Sequence, residues 1–538
     1  MLKLLVCFSI FLLLGVLASL GNLSANWLFH ADQEFTLAYN ALLVNDGHNQ
    51  QYHDHPGFFT IQLLGLILKA YALIDTSIIS KLNELNDAQS IIKAMSEVIT
   101  VARATAVCCV AIGTCIFFLV FNRVEKRTTI AMLVTSIFFV TNGVFFHFTQ
   151  LRTEWLSYLL LISALYFYVQ AYTFRNENLN SVSVTRFLIF IFLIICACLN
   201  KAQIIIYLPI AIFWCGFFIG PEMKIKKNIM SPLINKWDQI LFTISITVNL
   251  ILYCKSVSGI SIFTNAILIT AINLLIVWHC LKVNISIFRS AYIFNIILLI
   301  LYPALKFFIG GIDSNITALF RQIDDPLHML RFKNGDYSFY DNFNLEKFYE
   351  LGLNTKDIIL LVKFFTEPIT KYFSLGRMGS PVVFMIFNIA LLFFYKKVLP
   401  YEVRRFMIIS FVSFYLVNFI NNLRGLTAYY LVYSEYFLMA SYWVTIKYLW
   451  LSNIKKISVV LLITFLLILM LNTVLRPRYQ DALNHRGLNG DNSVSWCVDR
   501  GLHEHYHKNL NLNAYFKECE FLYESQIMEY KKIIDNNH

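Results

Sequence analysis

Long apolar runs alternate with short polar stretches along almost the whole chain. A helix needs about 17 to 25 apolar residues to cross the roughly 30 Å hydrocarbon layer of a bilayer. Runs near that length lie at 4–20, 98–121, 130–146, 155–173, 187–199, 203–219, 239–254, 260–280, 291–309, 381–395, 406–420, 427–447 and 457–474. The pattern predicts an all-α polytopic membrane protein with about thirteen spanning helices. The first run follows Lys3 and has Ala18 and Ser19 near its end, as a signal peptide would. It is longer than the usual apolar core of such a peptide, so it reads as a retained anchor.

Region 58–73 is also apolar, and its treatment sets the sidedness of everything after it. Counted as a span, it would put Arg123, Lys126 and Arg127 outside, against the tendency of basic loops to stay in the cytoplasm. Read as an amphipathic helix along the outer interface, it makes every alternate connection basic: 123–127, 175 with 186, 224–236, 282 with 289, 396–405 and 447–456. The opposite side then receives a first outer loop at 22–97, a short one at 147–154, a long one at 310–380 and the tail at 475–538. The spanning domain is thus 1–474, followed by a small extracytoplasmic C-terminal segment at 475–538.

Composition agrees with this reading. Hydrophobic residues make up 58% of the chain and charged ones 14%, against about 25% charged in soluble domains. The formal charge of +11 comes from Lys and Arg clustered between apolar runs, where they orient helices, so no nucleic-acid partner is expected. Cys7, Cys108, Cys109, Cys115, Cys196, Cys198 and Cys215 sit inside apolar runs, without metal-ligand spacing, as small hydrophobes. Cys497 and Cys519 fall in the polar tail, where an oxidising compartment makes a disulfide feasible.

Candidate chemistry gathers on the outer side. Asp32 and Glu34 follow the first run within a turn or two, where an acid is costly unless solvated or used. Two positions apart, they do not share a helical face, so one can enter a cleft while the other holds a partner. Such an acid suits general-base work on an acceptor hydroxyl or amine. Further on come Tyr52, His53, Asp54, His55, Pro56 and Gly57, leading into the apolar region 58–73.

This arrangement resembles the first outer loop of the fold C (GT-C) membrane glycosyltransferases, in the branch of protein O-mannosyltransferases and bacterial lipid A aminoarabinose transferases, a glycosyltransferase family 39-like pattern. There an acid pair precedes a Tyr-x-x-His-Pro-Pro-like element and a surface helix. Here Gly57 replaces the second proline. Four further points resemble the family: Arg103 opening the second span, Arg152 and Glu154 before the fourth, Lys201 in a short hairpin after the fifth, and Arg424 with Tyr429 and Tyr430 before a late span.

The resemblance implies transfer of a sugar from a polyprenyl-phosphate donor to a glycan, lipid or protein acceptor, on the periplasmic face of a bacterial inner membrane. Asp32 and Glu34 are the catalytic candidates. His53, His55, Arg103, Arg152, Glu154, Lys201, Arg424, Tyr429 and Tyr430 are the substrate-binding ones, with the cations available to a lipid phosphate. Arg103 can hold either the loop carboxylates or a phosphate, and Arg152 can pair with Glu154. No cofactor is expected. The two histidines lack a third fixed ligand for a metal, although relatives that transfer oligosaccharides use a divalent cation. The alternatives are a membrane transporter or lipid-linked glycan flippase and, closer to the transferase, an O-antigen polymerase or ligase.

Overall fold

The computed structural model describes residues 9–16, 31–45, 57–74, 88–125, 127–141, 143–144, 147, 151–173, 180–201, 399–422 and 430–451, with single positions at 204, 207, 210, 211, 214, 366, 369 and 517. These residues form helices and turns, with no strand among them. The helices are α1 (Ala31–Asn45), α2 (Phe58–Ala72), α3 (Ala88–Glu125), α4 (Thr128–Phe139), α5 (Glu154–Thr173), α6 (Asn180–Asn200), α7 (Tyr401–Asn422) and α8 (Val432–Leu451). Residues 9–16, inside the first apolar run, are helical, as are positions 204, 207, 210, 211 and 214 in the run 203–219. Two stretches, Ser96–Glu125 in α3 and Val403–Asn421 in α7, are long and apolar enough to cross a membrane. The expected spans at 239–254, 260–280, 291–309, 381–395 and 457–474 lie outside the described residues, as do Cys497 and Cys519.

α3 is the axis of the described assembly, with α4 and α5 packed along it; α5 pairs with α6, α7 with α8, and α8 returns onto α4. Where helices meet in an apolar medium, close backbone approach and dispersion replace the hydrophobic drive, and small residues allow that approach. Gly113 of α3 takes the Tyr158 ring of α5 where a Cβ would stand, and the Thr114 hydroxyl lies 3.4 Å from the Tyr158 hydroxyl. Phe117 stacks on Phe138 of α4 at 4.0 Å between centroids, and Phe121 meets Trp443 of α8 edge-on at 5.8 Å. Trp214 is buried against Phe437, and its indole N–H donates to Ser410 Oγ at 3.0 Å, so the 204–214 segment is joined to α7 and α8.

The two ends of α3 carry different chemistry. At one end, buried Glu125 accepts the Trp443 indole N–H at 2.9 Å and lies 3.4 Å from Lys447 Nζ. Its partner Arg127, 3.9 Å away, is half exposed at the start of α4. Toward the other end stands Arg103, twenty-two residues back along the helix. At ~1.5 Å per residue, the two polar layers are roughly 33 Å apart, close to the thickness of a hydrocarbon core.

Three features depart from the sequence pattern or refine it. α1 was not marked by a long apolar run, yet its stretch from Leu37 to Leu43 is buried, with α2 and α3 packed on it. α2, at 15 residues or ~22 Å, is shorter than a bilayer core. It buries Ile61, Leu64, Gly65 and Leu68 and exposes Leu66. The run 130–146 is not one helix: α4 stops at Phe139, where the Thr141 hydroxyl takes the Phe138 carbonyl at 2.8 Å. Beyond it, the Gly143 N–H donates to Glu435 Oε2 of α8 at 3.0 Å. A backbone donor removed from the helical ladder needs such a partner when buried, and Glu435, fully buried in the first turn of α8, provides it.

Candidate functional site

Five charged side chains from four separate parts of the chain meet at the Arg103 end of the bundle, each at most 5% exposed. Glu34, in the first turn of α1, is held by Arg103 in a two-point fork, with Arg103 Nε donating to Oε1 at 3.1 Å and Nη2 to Oε2. Glu34 Oε1 also accepts the Leu151 N–H at 2.7 Å. This third bond fixes the start of the short segment 151–153 that leads into α5.

That segment delivers the second charge group. Glu154 opens α5 as an acid in its first turn, where the helix dipole favours a negative charge. Lys201, directly after α6, lies 2.7 Å from Glu154 Oε1, and Arg152 Nε lies 3.7 Å from Oε2. Lys201 Nζ also donates to Thr153 Oγ1 at 3.4 Å and sits 5.7 Å above the Tyr430 ring, within cation–π reach. Tyr430 is itself buried. On the same flank the Tyr207 hydroxyl donates to Asn421 Oδ1, and the Tyr207 and Tyr433 rings stand 5.7 Å apart.

Burial alone would raise the Glu154 carboxyl, but Lys201, Arg152 and His147 outweigh it and hold it at about 2, below its ordinary 4.5. A carboxyl depressed on folding contributes stability that is complete above its unfolded value and is lost as pH falls through the folded one. Melting temperature in detergent is therefore expected to lose this contribution progressively from about pH 4.5 toward 2. Glu154→Gln is expected to remove that part of the acid transition, as thermal unfolding across pH will report.

The site takes its shape from neighbours that the sequence pattern did not mark. Asn200, the last residue of α6, donates from Nδ2 to the Thr153 carbonyl at 2.9 Å and to Ser157 Oγ at 2.8 Å. Its Oδ1 accepts the Thr60 N–H at 2.9 Å and the Thr60 hydroxyl at 3.0 Å. Gly57, at the head of α2, packs so tightly on Thr153 that a Cβ there would collide with Thr153 Cγ2. A proline would have to place its ring in that space, so glycine fits this position.

No protein family, curated sequence or solved structure matches this chain.

Of the residues singled out from the sequence, Glu34, Arg103, Arg152, Glu154, Lys201 and Tyr430 are thus brought into one connected cluster. Glu34 and Lys201 are both buried in ion pairs. Asp32 lies in the first turn of α1, two positions and so about 200° around the helix from Glu34. Its side chain, together with His53, His55, Arg424 and Tyr429, lies outside the described residues.

Proposed function

We propose that the chain is an integral membrane glycosyltransferase, transferring a sugar from a polyprenyl-phosphate donor to a glycan, lipid or protein acceptor on the extracytoplasmic face of a bacterial inner membrane. The observation that carries the reading is the buried cluster at one end of the bundle, where Arg103, Arg152 and Lys201 oppose Glu34 and Glu154. Buried cations at one end of the bundle suit a lipid-linked sugar phosphodiester with its single negative charge. Buried charge at this density is costly to maintain for stability alone, and such sites concentrate where chemistry is done.

In this reading Asp32 is the general base. It takes the proton of an acceptor hydroxyl or amine as that atom attacks the anomeric carbon; the carbon–oxygen bond to phosphate breaks, and the phosphate leaves with the electron pair. Direct displacement inverts the anomeric centre. Lys201, with Arg424 or Arg103, stabilises the charge growing on the leaving phosphate. Glu34 positions rather than reacts, because its oxygens already serve Arg103 and Leu151. His53, His55, Tyr429 and Tyr430 contact sugar or acceptor.

One observation favours a transporter or flippase instead. The break after α4, with the Gly143 N–H held by Glu435, has the form of a discontinuous helix, a frequent feature of substrate paths. The two readings separate in proteoliposomes supplied with a panel of polyprenyl-phosphate sugars and candidate acceptors. A transferase joins sugar to acceptor and releases polyprenyl phosphate; movement of lipid-linked substrate across the bilayer with no covalent product would replace that reading with the transporter.

A further inference from the structure

We propose that Asn200 is a positioning residue that couples the docking of α2 to Lys201. The inference rests on the reading of Lys201 as part of the working site.

α2 has no side-chain cap of its own, because its N-cap position is Gly57. The N–H of Thr60, third residue of that helix, is a group that an N-cap side chain ordinarily satisfies. Here it donates to Asn200, 140 positions away in sequence. The side-chain amide of Asn200 is saturated: two donors of Thr60 reach its oxygen, and its nitrogen reaches the Thr153 carbonyl and Ser157 Oγ. The Thr153 carbonyl and the Thr60 N–H allow only one orientation of the amide, since the first can only accept and the second only donate. Asn200 and Thr60 are fully buried, where an unmade hydrogen bond has its largest effect.

Each partner leads to the candidate site. Thr153 stands between Arg152 and Glu154, and its hydroxyl accepts from Lys201, which directly follows Asn200. Gly57 closes the other side of the junction by resting on Thr153. A shift of α2 must therefore strain either the Asn200 bonds or the Gly57 contact, and both bear on the segment that pairs with Lys201. A helix cap alone would explain the bonds to Thr60; it would not require the other half of the same amide to hold the Thr153 carbonyl.

The test is the reactivity of Lys201 toward an amine acetylating reagent, read by mass spectrometry on the purified full chain in detergent. Wild-type Lys201 is fully buried, so its labelling is slow. Thr60→Val removes only the hydroxyl bond to Asn200 and leaves Lys201 and all its contacts in place. It is expected to speed Lys201 labelling roughly 2- to 12-fold, the span of one net hydrogen bond. Asn200→Ala is expected to speed it at least as much, and adding Thr60→Val to Asn200→Ala to change nothing further. Labelling of Thr60→Val at the wild-type rate overturns the coupling. So does an equal added effect of Thr60→Val with and without Asn200, the result for simple shielding by α2. If Asn200→Ala does not fold, Asn200→Ser takes its place in the same comparison with and without Thr60→Val. No sugar donor enters the measurement, so altered labelling without sugar transfer would sink the transferase reading and keep the coupling, while transfer with unaltered labelling would do the reverse.

Discussion

Replacing Lys201 by methionine is expected to lower the stability of the chain by about 3–5 kcal/mol, the cost of removing one partner of a buried ion pair. Glu154 is fully buried, and its nearest cation is Lys201 at 2.7 Å; Arg152 at 3.7 Å is too far for a full hydrogen bond. In Lys201→Met, Glu154 must take up a proton or draw in water, and each route gives up part of the native state. Adding Glu154→Gln is expected to recover most of the loss, since removing both charges of a buried pair is far less costly than removing one. Thermal or denaturant unfolding of the two single variants and the double variant in detergent measures this as a coupling energy. Additive losses would mean that the two side chains are not paired.

The second large effect is expected at Glu34. Glu34→Ala removes the two-point fork on the Arg103 guanidinium, only 4% exposed, and leaves the Leu151 N–H without its acceptor. A loss of about 3–5 kcal/mol is expected from breaking this buried ion pair on one side. Glu34→Gln keeps one acceptor oxygen and is expected to lose less. Hydrogen exchange at the Leu151 amide gives the local readout: it should accelerate strongly in Glu34→Ala and moderately in Glu34→Gln. Both variants within ~0.5 kcal/mol of wild type would place Glu34 among ordinary surface acids, contrary to the fork and the third bond that the structure gives it.

How much of this was legible in the sequence depended on the range of the interactions. α5 lies at Glu154–Thr173 against an expected 155–173, and α7 at Tyr401–Asn422 against 406–420, because a continuous apolar run is a local signal. The break after α4 was not legible, since it is made with Glu435, 292 positions from Gly143. α1 escaped notice because its apolar stretch is short and carries Thr36 and Asn40; the Asn40 amide donates back to the Thr36 carbonyl at 2.8 Å within the helix.

At the candidate site, placement after the first apolar run marked Glu34, the family resemblance marked Arg103, Arg152, Glu154 and Lys201, and nearest-neighbour spacing suggested the pairing of Arg152 with Glu154. The stronger partner of Glu154 is Lys201, 47 positions on, and only the packing of α5 against α6 brings them together. Asn200 stood next to Lys201 in the sequence, yet an asparagine closing an apolar run signals nothing by itself. Its meaning comes from Thr60 and Thr153, which only the folded chain places on either side of its amide.

In the proposed reaction the two acids of α1 divide the work, and turnover and stability of Asp32→Asn beside Glu34→Gln measure that division directly. Both are purified in lipid and assayed with whichever pair from the panel of polyprenyl-phosphate sugars and acceptors wild type turns over. Asp32→Asn is expected to melt as wild type does and to lose transfer by two or more orders of magnitude, roughly the weight of a general base, while Glu34→Gln loses stability first. Transfer by Asp32→Asn at the wild-type rate would contradict that division.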